Sequence, residues 1–100
     1  MIQVIPLTDA EIISNVKEII ISELPEAKAY LFGSRINGKA KIVSDFDICI
    51  KIDKEIPAVK LFSIEQKIDN LDTLRTIDIS DYHRLNDFFK SNIDQTGVLI

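Results

Sequence analysis

The stretch that constrains this chain most is residues 45–52, Asp-Phe-Asp-Ile-Cys-Ile-Lys-Ile. Phe46, Ile48, Ile50 and Ile52 alternate with Asp45, Asp47, Cys49 and Lys51. Such alternation marks a strand with one face buried. Any fold must therefore cover the isoleucine face and leave two aspartates side by side on the other. Aspartate is a poor strand former, and neighbouring carboxylates repel. At this point two readings stay open for the pair. It is a solvated strand face, or it holds a divalent cation whose charge offsets the repulsion.

The flanking sequence supplies the rest of a small α/β (α+β) fold. Thr8 and Glu11 have the spacing of a capping box, which opens a helix with Ile12, Ile13, Val16, Ile19 and Ile20 on one stripe. Pro25 ends it. Residues 27–32 are an apolar run closed by Gly33 and read as a strand. Pro57 is placed as a first helical residue. Leu61, Ile64, Glu65, Ile68 and Leu71 follow at helical spacing. Residues 76–81 read as a third strand, with Ile77 and Ile79 facing one way and Asp78 and Ser80 the other. Leu85, Phe88, Phe89 and Ile93 mark a last helix, stopped by Gly97. The predicted order is α-β-β-α-β-α around a small mixed sheet. The first two strands are expected to be antiparallel. The helix between the second and third implies a right-handed crossover and a parallel pair, if the two are neighbours.

Parity then carries the argument. If those strands are adjacent, Asp78 shares a face with Asp45 and Asp47, whereas Asp81 has the opposite parity. Three carboxylates would converge beside a loop, residues 33–44, rich in Gly, Ser, Arg, Asn and Lys. Gly33-Ser34-Arg35 follows a strand directly. Glycine permits close backbone approach, and a helical turn starting at Ser34 would favour a phosphate. Taken alone, the loop reads as an ordinary Gly-Ser turn. Beside three carboxylates it suits two-metal phosphoryl chemistry.

Composition excludes several alternatives. With 100 residues, 46% hydrophobic and 28% charged, the chain is expected to form one domain, residues 1–100, rather than a disordered segment. A net charge of −4 disfavours general binding to nucleic acid. The single cysteine rules out an internal disulfide and suits a cytoplasmic location. Residues 1–9 lack a signal-peptide pattern, and no apolar run reaches the roughly 18 residues of a membrane span. His83 reads as a surface residue, Cys49 as a small strand residue, and Phe88 and Phe89 as core. Asp53, Glu55 and Glu65 read as surface charge. Leu99 and Ile100, apolar at the end of the chain, suggest a partner.

Leu31-Phe32-Gly33-Ser34-Arg35, then Gly38, then Ser44-Asp45-Phe46-Asp47-Ile48, resembles the signature of the DNA polymerase beta nucleotidyltransferase superfamily. It looks most like the minimal nucleotidyltransferases of bacteria and archaea, and the resemblance runs from about Thr8 to Gly97. It implies that Gly33, Ser34, Arg35 and Gly38 hold the nucleotide. It also implies that Asp45, Asp47 and Asp78 are the metal-binding and catalytic carboxylates. Two Mg²⁺ ions would serve the transfer of AMP from ATP to an acceptor hydroxyl. Relatives of this kind are often encoded beside a helical HEPN-domain protein, which the transferase adenylylates as its antitoxin. A binding antitoxin of weak or absent activity is the alternative; an aminoglycoside-type nucleotidyltransferase is a third reading. One departure stands out: many relatives carry an arginine just before the second loop glycine, where this chain has Asn37. Lys39 or Lys41 could compensate, although each taken alone reads as a plain solvated loop lysine.

Overall fold

The computed structural model describes residues 7–32 and 46–100. Gly33, Ser34, Arg35, Asn37, Gly38, Lys39, Lys41 and Asp45 lie outside the described residues. The first element among the described residues is helix α1, Asp9–Glu23, and its capping box is formed. Thr8 Oγ1 accepts from the Glu11 N–H, and a Glu11 carboxylate oxygen accepts from the Thr8 N–H. Strand β1, Lys28–Phe32, and strand β2, Phe46–Lys51, follow. Next come helix α2, Ala58–Asp69, strand β3, Ile77–Asp81, and a 3₁₀ turn, Tyr82–Arg84. Helix α3, Asp87–Thr96, and a two-residue strand β4, Val98–Leu99, end the order.

The sheet runs β3-β2-β1-β4. β1 pairs antiparallel with β2 and with β4, while β2 and β3 are parallel. The α2 crossover and the expected parallel pair are therefore both present. Phe46, Ile48 and Ile50 of β2 are fully buried against Ile12, Val16 and Ile20 of α1 and Ile64 and Ile68 of α2. Each such side chain contributes roughly 1.5–3 kcal/mol when fully buried. Alternation in β2 thus places the core on one sheet face. Cys49, of opposite parity, is also buried. Asp94 of α3, which accepts the Tyr82 hydroxyl at 3.0 Å, lies close enough to act on the thiol.

Several expectations are corrected. Pro57 is the N-cap of α2 rather than its first helical residue: its ψ of 135° is extended, although its carbonyl accepts the Leu61 N–H at 3.1 Å. Leu85 precedes α3 and lies outside it. Phe88 and Phe89 are not core. They are 72% and 45% exposed and stack edge-to-face on each other, because α3 turns Ile93 inward instead. Gly97 does end α3, but in an extended conformation with φ of −64°. Glycine is suited there by crowding, since an added Cβ would stand 2.6 Å from the Ile93 carbonyl oxygen. Immediately afterwards β4 pairs with Tyr30 and Leu31, a strand that no periodicity in the sequence announces.

Candidate active site

The parallel ladder between β2 and β3 sets Asp47 opposite Asp78 and Cys49 opposite Ser80. Residues paired in this way share a face, so the two carboxylates are neighbours on the side away from the isoleucine core. On the antiparallel side, Phe32 lies opposite Asp47, which brings the end of β1, and hence the start of the Gly33 loop in sequence, to the same end of the sheet. The strands thus bring together Asp47 and Asp78 of the predicted set.

Electrostatics marks the spot. Asp78 holds its proton more tightly than an ordinary aspartate, first because of burial and second because of the Asp47 charge. Among the described residues no three metal-ligating side chains stand together, and Asp45 would have to complete the set. The donors present are hard carboxylate oxygens under mutual repulsion. That chemistry fits Mg²⁺, which binds through a few carboxylates and substrate phosphates.

Asp81 does a different job. It is buried, accepts the Ile56 N–H at 2.8 Å and the His83 N–H at 3.1 Å, and lies 3.3 Å from Arg84 Nε. The carboxylate caps the 3₁₀ turn and anchors the segment ahead of α2. An aspartate directly before a turn, accepting from the N–H two residues on, is a known local signal for such capping. His83 is half-buried rather than a free surface residue. Its Nε2 lies 2.6 Å from the Ile52 carbonyl and so donates to it, which leaves that nitrogen unable to act as a base.

Cys49 is as inert as the strand reading suggests. Burial pushes its thiol up to about 12. In the native protein, reaction with a maleimide at pH 8 is expected to be slower than in denaturant by more than about a hundred-fold, since thiolate is the reactive form. Stopped mass measurements would check this, and equal rates would show that the strand opens readily. A hollow of about 410 Å³ lies at the other end of β1 and β2, lined by Lys28, Tyr30 and Lys51 among others. It lies about four residues along β2 from Asp47, some 13 Å at strand rise.

A parallel strand pair presenting Asp47 and Asp78, with Phe32 of an antiparallel strand opposite Asp47, is the layout of a nucleotidyltransferase-type domain. The family model described as polymerase beta, nucleotidyltransferase, matches residues 14–100, and the chain belongs to that family. The chain is 26% identical over 91 residues to a probable protein adenylyltransferase MntA of Haemophilus influenzae, covering 91% of this chain and 80% of that protein. It is 29% identical over 87 residues to a spectinomycin 9-adenylyltransferase of Staphylococcus aureus, covering 80% of this chain and 33% of that enzyme. The chain thus spans about a third of the length of the latter. Among solved structures, it matches a toxin–antitoxin crystal structure with AMP-PNP at a TM-score of 0.65 and 20% identity, over 86% of this chain and 69% of that one. It also matches a tri-AMPylated Shewanella oneidensis HEPN toxin in complex with MNT antitoxin, at a TM-score of 0.59 and 22% identity, over 88% and 70%. These structural likenesses show the shared fold. Among the described residues no helix is long and apolar enough to cross a membrane.

Proposed function

We propose that this chain transfers AMP from ATP to a hydroxyl of a HEPN-type protein partner, acting as that partner's antitoxin. The observation that carries the reading is the in-register pair of Asp47 and Asp78 beside the strand that leads into the Gly33 loop. Similarity to a probable protein adenylyltransferase over most of both chains supports a protein acceptor. A small-molecule acceptor has less support, because the chain matches only a third of the spectinomycin enzyme.

In this reading Gly33 and Ser34 hold the triphosphate through backbone N–H groups, with Arg35 and Gly38 completing the loop. Asp45, Asp47 and Asp78 supply the oxygen ligands for Mg²⁺. The bound metal would neutralise charge on the phosphates and lower the pKa of the acceptor hydroxyl. The acceptor oxygen attacks the α-phosphorus, and the bond to pyrophosphate breaks. Asp78 would accept the hydroxyl proton on its carboxylate or orient the hydroxyl. Most of the acceleration would come from positioning and preorganised charge.

The test is the intact mass of the HEPN-type partner after incubation with this protein, ATP and Mg²⁺. The expected result is a gain of one or more AMP units. An unmodified partner held in a stable complex would favour the binding-antitoxin reading, which the missing loop arginine at Asn37 also suggests.

A further inference from the structure

We propose that the outer edge of β3 binds an extended segment of the protein acceptor as an added strand, an inference that rests on the adenylyl-transfer reading above. β3 is the last strand of the sheet on its side and, among the described residues, pairs with β2 alone. One bond shows which of its backbone groups that pairing uses. The Phe46 N–H donates to the Thr76 carbonyl at 3.0 Å, so Thr76 turns its backbone toward β2. Residues at two-residue steps along a strand turn the same way, and the ladder accordingly uses Asp78 and Ser80. Ile77 and Ile79 therefore point both N–H and C=O outward. Neither makes another hydrogen bond among the described residues. Such an edge is a template for pairing with another chain.

The two sides of this edge are furnished differently. Side chains of an added strand alternate as they do in β3 itself. A residue set beside Ile77 or Ile79 turns its side chain to the helix-covered side of the sheet. There a hollow of about 180 Å³ lies between β3 and α2, lined by Ile68, Ile77 and Ile79 with Glu65, Asp69 and Asp78. Its isoleucines suit the stem of a long side chain, and its carboxylates suit a cationic head. Lysine and arginine offer that combination. A neighbouring hollow of about 150 Å³ shares Ile68, Asp69 and Ile77 but contains Arg75, which pairs with Asp9 at 3.1 Å. The basic side chain therefore belongs in the first.

The next residue of the added strand lies beside Asp78 and turns to the opposite face, where Asp47 and Asp78 stand. Adjacent strands are about 4.8 Å apart, so a hydroxyl on that residue comes to the proposed metal-binding carboxylates. In strand addition, main-chain bonds give affinity and the pockets for alternate side chains give specificity. The acceptor segment that fits is extended, with a basic residue directly before or after the hydroxyl residue.

Amide hydrogen exchange and AMP transfer, measured on the whole protein, test the assignment. The probe is a short synthetic peptide with a central tyrosine between two lysines; its control has alanines in their place. With Mg²⁺ and a non-hydrolysable ATP analogue, the lysine peptide at ten times its Kd should slow exchange of the Ile77 and Ile79 amides by about ten-fold. N-methyl groups on its backbone should raise KM by about ten-fold with the side chains unchanged. In kcat/KM the lysine peptide should lead the alanine peptide by about five-fold, the scale of exposed ion pairs. That lead should fall toward none in Glu65→Gln plus Asp69→Asn. Ile77 and Ile79 amides that stay unchanged under saturating peptide, or are already slow in the free protein, would overturn the proposal. A lysine peptide that neither binds nor accepts AMP, from a protein that does modify its HEPN-type partner, would overturn it too and leave the adenylyl-transfer reading standing. Failure of transfer to partner and peptide alike removes that reading, and this inference with it.

Discussion

Replacing Asp45 and Asp47 together by asparagine is expected to lower adenylyl transfer by about a thousand-fold or more without unfolding the protein. Loss of a single charge-stabilising group in a preorganised site already costs about 10²–10³ in rate, and here two proposed metal ligands go at once. The fold should survive because Asp47 faces away from the buried isoleucine cluster. Stability should even improve in metal-free buffer. The raised pKa of Asp78 means that the folded chain binds its proton more tightly than the unfolded chain does. The group therefore costs stability at neutral pH. That cost is relieved as the pH falls through the raised value toward 3.8, where the ordinary aspartate also protonates. Removing the Asp47 charge leaves burial alone to hold the pKa up, so the cost shrinks. Thermal unfolding from pH 3.5 to 7 should show the double variant gaining on the parent at the upper end. Cell growth with the partner co-expressed then separates the two biological readings. Full protection by a folded, inactive double variant would overturn the enzymatic role and leave the binding one.

What the sequence disclosed, and what it hid, follows from the range of the interactions involved. The β2 alternation is local, and it marks Phe46, Ile48 and Ile50 as core and Asp47 as facing the other side, but it could not show that Cys49 is covered as well. The parity of Asp78 and Asp81 needed only one further assumption, that β3 lies beside β2, which the helical crossover implied. Asp78 and Asp81 accordingly stand on opposite faces. Other features depend on contacts between distant residues. The pairing of Arg75 with Asp9 joins the loop before β3 to the first turn of α1, and nothing near either residue announces it. β4 is too short to show a period. Phe88 and Phe89 are adjacent, and adjacency on a helix cannot say which side turns inward; tertiary packing chose Ile93. The loop that carries Gly33, Ser34, Arg35 and Gly38, and the neighbouring Asp45, were assigned by motif alone.

Asp81→Ala should be among the most destabilising single changes in the chain, whereas Asp78→Ala should cost almost no stability. The two residues are three apart, yet their carboxylates face different surroundings. Asp78 is exposed beside a like charge, and its removal takes away repulsion. Asp81 is 3% exposed and holds three groups together: the Ile56 and Arg84 contacts and the N–H of His83. Truncating it strands two backbone donors and leaves Arg84 without its buried counter-charge. The stranded backbone donors set the cost, at about 1–3 kcal/mol for each buried group left unsatisfied; Arg84 adds little, because it is half-exposed and keeps Glu55 at 3.7 Å and the Ile56 carbonyl at 3.1 Å. Set against the roughly 5–15 kcal/mol that holds a typical domain together, this is a large share. Urea denaturation should show a much lower midpoint for Asp81→Ala with a similar slope, and Asp81→Asn should recover part of the loss by keeping an acceptor for the Ile56 N–H. In transfer assays on folded protein the order should reverse, with Asp78→Ala inactive and Asp81→Asn retaining activity. An Asp81→Ala protein as stable as the parent would mean that water replaces the carboxylate at no cost and that the turn does not depend on it. An Asp78→Ala protein that still transfers AMP at the parent rate would remove Asp78 from the active site, and Asp45 and Asp47 would then have to act without a third carboxylate.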